Sequence, residues 1–340
     1  MVRRILLPLM LLLGLAPSTW LRSPLPPHNL EQVLHVAALP VPAQAPQLGP
    51  FRLTGAWVLS SPNTNFGGYS ALVTRPGGRL LAFSDRGYIL DFALPDTAAA
   101  PARFGVVPGN PALLRRFRDI EAATSDPRTG QIFLAMEGRN IITRHGSNLA
   151  RQASRENPQM RTWRYNSGPE AMVRLPDGQF VVLCECNAGW TISGMHPGLL
   201  FAGDPTRDVP VRSIVLNGAP GYRPTDLALL PDGRVLVLVR RLLWPAPARF
   251  AGKILLADPA QITASGAWPA VELADLSKPL PVDNFEGLVV AAQAGGSLTA
   301  WLISDENAAI SQRVLLWKLT FRLDQLPPKQ KAPGIPDALR

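Results

Sequence analysis

Gly168-Pro-Glu-Ala-Met-Val-Arg-Leu-Pro-Asp-Gly-Gln-Phe-Val-Val-Leu-Cys-Glu185 reads as a single unit. An acid near its start leads into an apolar run, and Pro176-Asp-Gly178 turns the chain. A second apolar run follows and another acid closes it. The glycine of such a turn supplies the positive φ a tight reversal needs, so the stretch is a β-hairpin.

Related units stand on both sides of it. Gly68-Tyr-Ser70 leads through Pro76-Gly-Gly78 to Ser84-Asp85, and Asp119-Ile-Glu121 leads through Pro127-Arg-Thr-Gly130 to Glu137. Pro224-Thr-Asp226 leads through Pro231-Asp-Gly233 to Arg240, and Asn284-Phe-Glu286 leads through Gly295-Gly296 to Asp305. With Ser70, Glu121, Glu170, Asp226 and Glu286 as register marks, the steps are 51, 49, 56 and 60 residues. Four-stranded propeller blades repeat every ~40–50 residues before loop insertions. Apolar runs without alternation suit strands covered on both faces. Weaker strands at Ile141–Arg144 and Lys253–Ala257 complete the blades, while Phe51–Leu59 and Val314–Phe321 stand where closure of a ring would pair them. The fold expected is all-β, a β-propeller of four-stranded blades; five repeats are visible and a sixth is left open.

Composition narrows the alternatives. Across 340 residues, 35 prolines and 28 glycines interrupt the chain too often for a helix bundle or a doubly wound α/β fold. Two cysteines exclude a disulfide scaffold. Cys184 and Cys186 share a strand face and read as buried, inert thiols. The net charge is +9, yet residues 23–325 hold 28 basic against 24 acidic side chains, and no Lys/Arg run exceeds two. A dedicated nucleic-acid binder is not indicated.

Met-Val-Arg-Arg, the apolar Ile5–Leu15 and a Pro-containing break make residues 1–22 a signal peptide or a retained N-terminal anchor. The expected location is therefore exported, periplasmic or secreted, with membrane contact only through an uncleaved anchor. Residues 23–50 read as a Pro-rich linker, 51–325 as the propeller and 326–340 as a Pro/Lys-rich tail.

Hairpin geometry brings the first and last residues of each unit to the same rim. The candidate acidic ring is Asp85, Glu121, Glu137, Glu170, Glu185, Glu286 and Asp305, with Asp119, Asp226, Asp283 and Glu306 close by. So many acids at one opening need a cation or arginines. Oxygen-only donors suit Ca²⁺ or Mg²⁺. Arg86, Arg118 and Arg240 stand at the same ends as anion clamps, with Arg139, Arg223 and Arg241 near them. Acids for a metal and arginines for phosphate are the parts of metal-assisted phosphoester chemistry. A Gly-x-Ser-x-Gly elbow and a P-loop are both missing from the sequence, and none of the four histidines has metal-ligand spacing.

Gly68-Tyr-Ser-Ala-Leu, Ser84-Asp-Arg-Gly87, Asp119-Ile-Glu121-Ala, Gly168-Pro-Glu170-Ala and Asp283-Asn-Phe-Glu286-Gly-Leu together resemble the phytase-like family of exported bacterial proteins, over roughly residues 51–323. The resemblance implies a β-propeller, export, and calcium-assisted hydrolysis of phosphoesters or other esters, with a small-molecule ester as substrate. The family pattern has Glu-Arg at the end of the fourth repeat's second strand; here Val239-Arg240 stands instead, which removes one carboxylate and would weaken metal binding. That departure keeps a second function in play, a non-catalytic propeller binding an envelope ligand or partner at the same mouth. A lactonase-like hydrolase is a third.

Overall fold

The computed structural model describes residues 27–41, 46–97, 101–108, 119–163, 167–186, 193–243, 249–276, 282–307 and 312–330. The apolar Ile5–Leu15 run, the clamp candidate Arg118 and residues 331–340 of the tail lie outside the described residues.

Each hairpin of the sequence is the inner half of a blade. Before the first hairpin come β1 (His35–Ala38), β2 (Gln47–Leu48) and β3 (Phe51–Ser60). Blade one is β4 (Tyr69–Arg75), β5 (Arg79–Ser84), β6 (Tyr88–Ala93) and β7 (Arg103–Val106). Blade two is β8 (Ile120–Ser125), β9 (Ile132–Met136), β10 (Ile141–His145) and β11 (Arg151–Glu156). Blade three is β12 (Pro169–Arg174), β13 (Phe180–Cys184), β14 (Met195–Phe201) and β15 (Val211–Asn217). Blade four is β16 (Arg223–Leu229), β17 (Val235–Leu243), β18 (Arg249–Ala257) and β19 (Ala267–Asp275). Blade five takes β20 (Asn284–Ala292), β21 (Ser297–Asp305) and β22 (Val314–Arg322) from the end of the chain and β3 from its beginning.

That last pairing closes the ring. β22 runs antiparallel to β3 from Val314 opposite Leu59 to Thr320 opposite Arg52. The innermost strands β4, β8, β12, β16 and β20 pack each against the next, and β20 returns to β4. The propeller therefore has five blades among the described residues, and no sixth intervenes. The stretch read as a linker adds β1 and β2 outside β3. The outer edges of blades three and four also join, since β15 pairs in parallel with β19 from Val215 opposite Ala267 to Asn217 opposite Pro269.

The core explains why the inner strands read as unbroken apolar runs. Successive side chains of a strand point to opposite faces. On β4 and β5, Leu72, Leu80 and Ala82 pack toward blade five with Trp301 and Leu316. The intervening Ala71, Val73, Leu81 and Phe83 pack toward blade two with Ile120 and Leu134. The described core thus consists of five apolar clusters, one at each junction between neighbouring blades. The turns repeat as well. Gly178 (φ 91°) and Gly233 (φ 88°) close identical reversals, donating to Leu175 and Leu230 at 3.0 and 2.9 Å. A Cβ at either position would force a left-handed conformation that L-residues avoid.

Candidate functional site: an acidic mouth at one end of the ring

Every innermost strand carries a β-bulge at the same place. The register slips at Ser70 in blade one, Glu121 in blade two, Glu170 in blade three, Thr225 in blade four and Glu286 in blade five. A bulge leaves one residue unpaired and re-aims its side chain. The fourth register mark is thus Thr225, not Asp226.

The two hydroxyls and the three carboxylates do different things there. Ser70 Oγ donates to the carbonyls of Phe83 and Ile120, the latter in blade two. Thr225 Oγ1 donates to Leu238 at 3.5 Å and to Phe285 of blade five at 3.3 Å. Both stitch a blade to its successor. Glu121, Glu170 and Glu286 instead lie within electrostatic reach of one another.

One step toward the rim, each hairpin brings together its entering and leaving residues. Asp85, Glu137 and Glu185 donate their N–H groups to the carbonyls of Gly68, Asp119 and Gly168 at 2.9, 2.8 and 3.2 Å. Arg223 pairs with Arg240 and Asn284 with Asp305 in the equivalent places. The leaving position therefore reads Asp85, Glu137, Glu185, Arg240 and Asp305 around the ring. Val239 sits one residue earlier, opposite Pro224, fully buried among the apolar side chains between blades three and four. The acid missing at 239 thus belongs to the core layer rather than to the rim.

The structure brings all seven ring candidates to this one mouth, though in different ways. Asp119, Glu121 and Glu137 present carboxylate oxygens that all lie within 4.8 Å of one another. Glu137 also accepts the Gly168 N–H at 2.9 Å. Glu170 and Glu185 form the blade-three side, and Arg223 meets Glu185 at 3.1 Å. Arg240 reaches Glu286 at 3.1 Å and Glu185 at 3.5 Å, with its guanidinium 5.8 Å from the Phe250 ring centroid. Asp305 lies near Glu286, Glu306 and Asp85. Arg86 braces the rim: it lies 3.6 Å from Asp85 and 3.9 Å from Glu306, and donates to the Phe66 carbonyl at 2.8 Å.

Two neighbouring acids turn out to serve the framework. Asp226 is fully buried and accepts N–H groups from Leu227 at 2.8 Å and from Leu288 of blade five at 2.6 Å. Asp283 accepts the N–H groups of Asn284 and Arg313 and the amide of Gln312.

Electrostatics follow from this crowding. Burial, with Glu170 and Glu286 facing it, holds Glu121 well above the ordinary carboxylate range. Burial beside Glu185 and Glu137 does the same to Glu170, against the opposing pull of Arg240. Burial also raises Asp305, with Glu286 adding to it. Burial pushes Glu137 up to about 7 despite the Gly168 N–H, and Glu286 up to about 7 despite Arg240 and Asn284. Such a mouth is short of positive charge.

Asn284 was not singled out from sequence. It is 1% exposed, and its Nδ2 donates to Glu286 Oε1 at 2.7 Å while its Oδ1 has no partner among the described residues. Its place opposite Asp305 was the available signal. The thiol expectation for the cysteines is corrected: Cys184 and Cys186 are bonded to each other across Glu185, with Cα atoms 5.0 Å apart. β13 ends at Cys184 and Glu185 keeps one bond to the facing strand, its N–H to the Gly168 carbonyl, so Cys186 lies beyond the strand and folds back toward Cys184.

Fold and site together define a closed five-bladed β-propeller with an acidic, oxygen-rich mouth. A family model described as phytase-like, esterase-like activity of phytase, matches residues 64–308, and the chain belongs to that family. No curated protein matches its sequence. Among solved structures, it is similar to the glutaminyl cyclase of Myxococcus xanthus, at 13% identity over 76% of this chain and 92% of that one, with a TM-score of 0.43. It is also similar to a gluconolactonase of Xanthomonas campestris, at 13% identity over 83% and 97%, with a TM-score of 0.42. The WD40 repeats of RRP9 align at 8% identity over 80% and 99%, with a TM-score of 0.41.

Proposed function

We propose that this protein is an exported, cation-assisted hydrolase of phosphate or other esters, working at the acidic mouth of the ring. The observation that carries the reading is the meeting of Asp119, Glu121 and Glu137 oxygens within 4.8 Å, with no Lys or Arg paired to them among the described residues. The donor set fits a hard divalent ion such as Ca²⁺, because every donor is oxygen and uncompensated carboxylates gain from a dication. When bound, such an ion supplies Lewis-acid polarisation of an ester oxygen and a more acidic water.

The chain's own residues do the rest. Asp119, Glu121 and Glu137 would hold the ion. Arg223, about a third exposed, offers a guanidinium to an anionic group entering the mouth. Glu286, poised at about 7 between burial and Arg240, can take or give a proton near neutral pH. Export is supported by the N-terminal pattern and by the Cys184–Cys186 bond, which persists in oxidising compartments.

A calcium titration followed by phosphomonoester, phosphodiester and lactone substrates tests this. Calcium-dependent turnover of one class supports it; calcium binding with no turnover leaves the second reading, a propeller that binds an envelope ligand. Arg240, at the one leaving position of the five hairpins without an acid, favours that second reading.

A further inference from the structure

We infer that Arg240 is a built-in cation standing where a second metal ion would otherwise sit, so that the mouth holds one divalent ion, on the side of Asp119, Glu121 and Glu137. The inference rests on the cation reading given above and adds the number of ions, their place and the residue that sets both.

The argument starts from the five-fold register. At the leaving end of each hairpin, blades one, two, three and five carry Asp85, Glu137, Glu185 and Asp305, and blade four carries Arg240. The guanidinium does not turn outward. Its Nη2 bridges Glu185 of blade three and Glu286 of blade five, acids from the blades on either side, as a shared ion would. The Phe250 ring lies against it, and a guanidinium held at an aromatic face loses little freedom in pairing. Across the mouth, the described ion pairs supply no such partner to Asp119, Glu121 or Glu137. One half of the ring is thus neutralised from within and the other half is not.

A second feature marks the arginine side as a metal site held in reserve. Asn284 Oδ1 is buried without a partner among the described residues, beside Glu286, the carboxylate its own Nδ2 holds. Amide oxygens are ordinary ligands of Ca²⁺. Without the Arg240 guanidinium, Glu286 and Asn284 Oδ1 would stand as oxygen donors with no paired cation, beside Glu185, which keeps Arg223 at 3.1 Å. With the guanidinium present, a dication there would face a fixed positive charge at close range and be excluded.

The test counts ions on the full-length purified protein. Equilibrium dialysis against Ca²⁺ with elemental analysis should give one ion per chain for the wild type, two for Arg240→Met, and one for Arg240→Lys, which keeps the charge. Circular dichroism checks that each variant is folded. If Arg240→Met fails to fold, Glu121→Gln and Glu185→Gln decide the location: the first should lose the ion and the second should keep it. Two ions in the wild type, one in a folded Arg240→Met, or loss of the ion in Glu185→Gln would overturn the inference while leaving the cation reading in place. No ion in the wild type would overturn the cation reading itself.

Discussion

Blades one and four part from blades two, three and five at the bulge of the innermost strand. In the first pair the unpaired residue is a hydroxyl, Ser70 or Thr225, and it reaches the carbonyl that precedes the next blade's bulge. In the other three it is Glu121, Glu170 or Glu286, and it faces its counterparts across the mouth. One backbone device therefore serves two ends. A short side chain keeps the bulge turned into the blade junction, where a buried carbonyl needs a donor. A longer, acidic one projects into the opening and accumulates charge that the fold does not neutralise. Closure of the ring and assembly of the site are separable at the level of single residues.

The largest expected effect comes from an acid on the closure side. Asp226→Ala leaves the N–H groups of Leu227 and Leu288 buried without an acceptor, across the junction of blades four and five. Loss of roughly 2–5 kcal/mol is expected by denaturant unfolding, the same with and without calcium. A calcium-dependent loss would move Asp226 into the site and break the comparison.

The site side should show itself in pH. Glu137 and Glu286 have folded-state values of about 7, above the ordinary value of ~4.3 for an unfolded glutamate. The folded state therefore keeps these protons longer than the unfolded one, and the contribution of these two groups to stability falls as pH rises from about 4.3 to about 7 and then levels off. Calcium-free protein should lose on the order of 2 kcal/mol between pH 5 and pH 8, and calcium should restore stability at pH 8. A flat profile in the absence of calcium would show that the crowding of the acids is relieved in some other way.

Smaller again is the effect of Thr225→Val, which removes two long hydrogen bonds and keeps the shape: about 1 kcal/mol, with calcium affinity unchanged.

The hairpins and the closure of the ring could be read from sequence, because a Pro-Asp-Gly turn between two apolar runs has few other solutions and the strands at the two ends had no other partner. The convergence of the acids followed from that geometry. What could not be read was the bulge. A one-residue slip leaves the composition of a strand unchanged, so in Pro224-Thr-Asp226 the acid drew the alignment although Thr225 holds the equivalent place. The slip also hid the part Asn284 plays, since an amide between two acids carries no charge signal. The Cys184–Cys186 bond was missed because strand alternation was extended to Cys186, past the end of β13 at Cys184.

The division between closing and binding residues is tested most directly by thermal melts of wild type, Ser70→Ala and Glu121→Gln, each with and without millimolar Ca²⁺. Ser70→Ala should melt lower than wild type in both conditions and keep the full calcium-induced rise. Glu121→Gln should melt at least as high as wild type without calcium, because a raised, buried acid has been replaced by a neutral amide, and should lose the rise. A wild type with no calcium-induced rise, or a Glu121→Gln that keeps it in full, would contradict the account.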